Sequence, residues 1–117
     1  MSPKKTPRPA LVWCPFPDRA AARKTASQLL TEGLIACANL IGEMESLFIW
    51  QGKQSSDQEI GVLFKTRADL LDGLIARLGV LHPYDTPAIV GWHCDAVHAE
   101  TAQWLLAIGQ SNVMAKE

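Results

Sequence analysis

The spacing of apolar positions along the chain predicts its elements. Leu11-Val-Trp-Cys14 is an apolar run of strand size, and Pro15 and Pro17 cannot donate to a ladder, so pairing is predicted to stop there. Asp18 then precedes apolar or small residues at 21, 22, 25, 26, 29 and 30, closed by Gly33, which predicts a capped helix. From Leu34 to Trp50 the chain is rich in Ile, Leu, Phe and Trp, and Ile60 to Thr66 follows Gln51-Gly-Lys53 and a polar patch. Two strands joined near Gly52 are expected, with Gly42 bending or bulging the first. A segment as long as 34–50 spans about 50 Å when extended, more than a small sheet uses, so an arm should project from the domain.

Farther on, Thr66 with Asp69 makes a capping-box-like start, and Leu70, Leu71, Leu74, Ile75 and Leu78 recur at helical spacing before Gly79. The prolines of Leu81-His-Pro-Tyr-Asp-Thr-Pro87 exclude helix, and Ala88 to Cys94 reads as a fourth strand. Asp95 should cap a last helix striped by Val97, Thr101, Trp104, Leu105 and Ile108 and ended by Gly109.

The order βαββαβα is the split-βαβ pattern of an α+β, ferredoxin-like sandwich with a C-terminal helix. Its two crossover helices fall on one sheet face. Leu47, Phe48, Ile49 and Trp50, like Val62, Leu63 and Phe64, are apolar at consecutive positions, so the opposite face is apolar too. A surface of that kind marks an interface, and a homo-oligomer built through the sheets is expected.

Composition narrows the picture. At 117 residues there is room for one domain, placed here at 10–109, with 1–9 a flexible N-terminal arm and 110–117 a tail. Apolar residues make up 48% and charged residues 20%, as in ordinary globular proteins. Eleven Lys and Arg against twelve Asp and Glu leave a net charge of -1, too little cationic field for nucleic acid. Cys14, Cys37 and Cys94 are an odd number spread along the chain, which favours reduced thiols in the cytoplasm over bridges. Neither a membrane span nor an export signal is expected.

The candidate chemistry is sparse. Cys14 near the end of the first strand and His82 in the proline-bracketed loop are the ligands best placed to meet, and thiolate with imidazole suits Cu or Zn. The competing reading makes Cys14 a small buried hydrophobe and His82 a loop residue bonded to a carbonyl. A Cys-x-x-Cys metal loop is absent, since Pro17 takes the second cysteine's place, and there is neither an acylphosphatase-like anion loop nor an RNA-binding strand. His93, Cys94 and His98 are not expected to form one site, because adjacent strand residues point to opposite faces. Glu59 and Lys65 bound an apolar strand, Tyr84 is the sole tyrosine, and Trp50 precedes a glycine turn. No catalytic triad or paired-carboxylate signature stands out, and no enzyme activity or organic cofactor is expected.

Ala36-Cys-Ala-Asn-Leu-Ile41, Trp50-Gln-Gly-Lys53, Glu59, Lys65-Thr66 and especially His82-Pro-Tyr-Asp-Thr-Pro87 closely resemble the CutA family of divalent-cation tolerance proteins. The resemblance runs from about Leu11 to Ile108. It implies a ferredoxin-like subunit in a tight homotrimer, with the long hairpin packing between subunits. It also implies a divalent cation, Cu(II) the usual candidate, at Cys14 and His82, with the site weakened because Ala88 stands where the family has an acid. Gln51 likewise replaces an acid of the Trp-x-Gly turn. A PII-like regulatory trimer, binding a small anion or partner protein at inter-subunit clefts through Lys65, Tyr84, Glu59 and Trp50, is the alternative reading. In that reading the 82–87 loop lines the cleft, with the Lys65 ammonium near the Tyr84 hydroxyl.

Overall fold

The structure, a computed structural model, describes residues 8–108. The expected tail at 110–117, the stop at Gly109 and most of the expected arm lie outside them. Strand β1 runs Pro9–Phe16, so pairing starts inside the segment read as an arm and passes through Pro15. The reason is positional. Pro9 and Pro15 lie on the side of β1 that faces β4 (Val90–His93), and β4 pairs only with Ala10 to Trp13. At Pro15 the neighbouring strand has ended, and the missing N–H costs no ladder bond.

Helix α1 (Arg19–Thr31) starts as expected, with the Asp18 carboxylate accepting from the Ala21 amide at 2.8 Å. It ends at Gly33, whose φ of 75° lets the Leu34 amide return to the Leu29 carbonyl. The hairpin is longer than its hydrophobic pattern showed. Strand β2 (Cys37–Trp50) pairs with β3 (Lys53–Arg67) from Trp50↔Lys53 to Cys37↔Lys65, and the polar stretch 54–59 is strand. Gln51 and Gly52 turn with φ of 50° and 78°, the two positive values of a type I′ connection. A register shift between Ile41 and Glu43 puts the bulge at Gly42.

Thr66 does not cap the second helix. It is the buried penultimate residue of β3, and its hydroxyl donates to the Leu34 carbonyl at 2.8 Å. A 3-10 turn (Ala68–Leu70) intervenes before α2 (Leu71–Leu81), which carries Gly79 inside it. α2 stops at His82 because a residue before proline is pushed into the extended region, here φ -69°, ψ 141°. Helix α3 (Ala99–Leu106) begins after His98, not at Asp95, and no side chain caps it. Arg67 holds its far end, donating to the Leu106 carbonyl at 2.8 Å.

The four strands lie in the order β2-β3-β1-β4, all neighbours antiparallel. Even-numbered residues of β1 (Ala10, Val12, Cys14, Phe16) and β3 (Ile60, Val62, Phe64) share a core with Ala22, Ala26 and Leu29 of α1 and Leu71, Leu74 and Leu78 of α2. Each fully buried Leu, Val or Phe stabilises that core by about 1.5–3 kcal/mol. On the opposite face Leu11, Trp13 and Leu63 are half-buried, while Ile41, Val90 and Trp92 are exposed. The β2–β3 ladder also carries apolar residues beyond the core: Leu47 and Ile49 on one face, Phe48 and Trp50 on the other, all exposed.

Candidate functional site

The end of β1, the end of α2 and the middle of β3 converge on one small polar cluster. His82 is buried, its ring stacked on Phe16 with centroids 4.3 Å apart and tilted against Tyr84 at 4.8 Å. Nε2 lies 2.7 Å from the Pro15 carbonyl oxygen, and Nδ1 accepts from the Tyr84 amide at 3.1 Å. An amide N–H only donates, so Nδ1 carries the lone pair and Nε2 the proton. Burial lowers the His82 pKa against the opposing influence of the Pro15 carbonyl and Glu59, and the ring is neutral.

Tyr84 extends the cluster. Its hydroxyl donates to Glu59 Oε2 at 2.9 Å, and burial followed by this carboxylate raises its pKa. Cys14 faces the core, fully buried, with Sγ 3.8 Å from the same Pro15 oxygen. Burial, and then the Glu59 charge, push its thiol up to about 12. It is a thiol at neutral pH.

The structure therefore joins some expected residues and separates others. Cys14 and His82 both address the Pro15 carbonyl, and Tyr84 and Glu59 are bonded. Lys65 is six residues beyond Glu59 on β3, about 20 Å at strand rise, and an ammonium beside the Tyr84 hydroxyl does not form within one chain. Trp50 lies a similar distance the other way, exposed at the hairpin end, since Glu59 pairs with Met44. The depression beside Glu59, lined by Pro17, Asp18, Arg19, Glu43, Gln58 and Ile60, has a volume of about 100 Å3, well below the 300–1,000 Å3 of small-molecule pockets. The Tyr84–Glu59 bond escaped sequence reasoning in the form it takes, since nothing local marks two residues 25 apart as partners.

The profile of the family described as "CutA1 divalent ion tolerance protein" matches residues 10–107. This chain belongs to the CutA1 divalent ion tolerance family. Among CutA1 relatives, the divalent-cation tolerance protein CutA of Pyrococcus horikoshii is 44% identical over 96 residues, covering 82% of this chain and 93% of that protein. The solved structure of CutA1 from Ehrlichia chaffeensis superposes with a TM-score of 0.82 at 28% identity, covering 86% of this chain and 94% of that one. CutA1 from Pyrococcus horikoshii gives a TM-score of 0.79 at 42% identity, covering 83% and 94%. Other CutA relatives are named as chloroplastic or periplasmic.

The donor set that the CutA resemblance implied for Cu(II) does not fit a metal here. Cys14 Sγ and His82 Nε2 are both engaged with the Pro15 carbonyl oxygen, at 3.8 and 2.7 Å, and His82 Nδ1 gives its lone pair to the Tyr84 amide, so neither side chain presents a free donor. Ala88 supplies no donor, and no group of three or more His, Cys, Asp or Glu among the described residues is arranged to hold an ion. The competing reading of His82, a loop residue bonded to a carbonyl, describes its contacts.

Proposed function

We propose that this CutA1-family chain acts as a homotrimer in the response to divalent cations, Cu(II) foremost, and that the cation is met by the assembly outside the Cys14–His82 pair. The observation that carries the assembly is the hairpin beyond the core. Leu47 is 78% and Ile49 66% exposed on one face, and Phe48 is 37% and Trp50 62% exposed on the other. Leaving such large side chains in water on both faces forgoes several kcal/mol of burial, which a second copy of the strand pair recovers. Closed symmetry limits such contacts to a finite ring, and the family resemblance supplies the number three. Family membership supports the cation. The unpaired state of Cys14, Cys37 and Cys94 supports a reducing compartment, the cytoplasm.

Two measurements test this reading. Leu47→Lys with Ile49→Lys should reduce the particle to single subunits while keeping the far-ultraviolet circular dichroism of the fold; an unchanged particle size would mean that the hairpin is not the interface. Calorimetric titration of the assembled protein with Cu(II) should show saturable binding, and the lack of any such heat would remove the cation from the proposal.

A further inference from the structure

We propose that His82 is a positioning residue in this chain instead of a metal ligand: its imidazole, fixed as the Nε2–H tautomer between the Pro15 carbonyl and the Tyr84 amide, sets the Tyr84 hydroxyl on Glu59. β1 continues to Phe16, but its ladder with β4 ends at Trp13↔Val90. The carbonyl of half-buried Pro15 therefore faces a side from which no strand donor comes, and a carbonyl withdrawn from water without a donor is costly. His82 supplies that donor through Nε2 at 2.7 Å.

The tautomer is then dictated from both sides by backbone. Pro15 oxygen can only accept and Tyr84 N–H can only donate, so the lone pair on Nδ1 is already used at 3.1 Å. Phe16 and Tyr84 contact the ring at centroid distances of 4.3 and 4.8 Å and oppose its rotation toward a metal. With the Tyr84 backbone tied to His82, two residues upstream, its side chain spans to β3 and bonds Glu59 at 2.9 Å. One imidazole thus links β1, the loop after α2 and β3. The proposal leaves the cation reading of the assembly standing and removes only Cys14 and His82 from it.

The test uses the full-length, 15N- and 13C-labelled protein. Long-range 1H–15N spectra should show His82 as the Nε2–H tautomer, unmoved by added Zn(II), and Cu(II) affinity should stay within about two-fold in Cys14→Ser and in His82→Asn. The tyrosinate absorbance signals of Tyr84, unambiguous because it is the sole tyrosine, should appear at lower pH in His82→Ala, where the hydroxyl is no longer held on Glu59, and return toward their original pH in His82→Asn, whose Oδ1 keeps an acceptor for the Tyr84 amide. A Zn(II)-dependent shift of the His82 nitrogens, a tenfold loss of Cu(II) affinity in Cys14→Ser, or Tyr84 signals indifferent to His82→Ala would overturn the proposal. Should the unaltered protein bind no metal, the cation reading falls, while the tautomer and the Tyr84 signals still decide the role of His82.

Discussion

Gly61→Ala is a one-carbon change whose cost follows from a single contact. Gly61 is buried mid-strand in β3, across from Pro15, and the indole of Trp13 lies over it on the sheet face away from the crossover helices. A Cβ at Gly61 would come within 2.2 Å of Trp13 Cη2 and 2.9 Å of Cζ2, where carbon atoms need about 3.5 Å. The indole must therefore move by more than about 1 Å, and a rigid two-ring side chain cannot do so by bending its tip. Overpacking of this kind costs about 1–3 kcal/mol. Replacing a strand glycine by alanine returns about 0.5–1 kcal/mol of backbone entropy, so the net expectation is destabilisation by up to about 2.5 kcal/mol. Urea unfolding at one fixed protein concentration measures it, because an assembly's stability depends on concentration. The decisive arm is a double-mutant cycle. With Trp13→Leu in place the clash is gone, and Gly61→Ala should turn neutral or stabilising by up to about 1 kcal/mol. The same effect of Gly61→Ala with and without Trp13 would refute the reasoning.

Three further outcomes follow from the polar cluster. Glu59→Gln should lower the pH at which Tyr84 ionises, because a carboxylate accepting from the phenol is removed; tyrosinate absorbance reports it without assignment, and an unchanged midpoint would mean the bond is absent in solution. A thiol reagent added to the native protein should leave Cys14 unmodified until the fold is denatured, and early labelling of Cys14 would contradict its complete burial. The folded pKa of His82 lies below its ordinary 6.5, so its contribution to stability is complete above that value and is lost as pH falls from about 6.5 toward the depressed folded value. His82→Asn should flatten this part of the stability profile, and a profile equally steep in the variant would assign the dependence to another group.

What could be read from the sequence depended on how local the cause was. The cap at Asp18, the C-terminal glycine at 33, the hairpin turn near Gly52 and the bulge at Gly42 were legible because each needs only a few neighbouring residues. The polar half of β3 was not, because residues 54–59 are held as strand by their ladder to β2 and not by a pattern of their own. Thr66 looked like a helix cap because a Thr three residues before an acid offers that geometry, but its hydroxyl is taken by a carbonyl 32 residues away. Pro15 looked like a strand end because its missing donor matters only where a neighbour exists. The candidate site divides in the same way. The His82-Pro-Tyr84 loop announced itself through its prolines, whereas the partners of its side chains, Pro15 and Glu59, lie on other strands and follow from the fold alone.

Light scattering of the purified protein, coupled to size exclusion at micromolar concentration, tests the central claim most directly. A homotrimer closed through the apolar hairpins gives a mass about three times 12.8 kDa that persists on dilution. A particle with the mass of one subunit, soluble with Leu47, Phe48, Ile49 and Trp50 in water, would contradict the account.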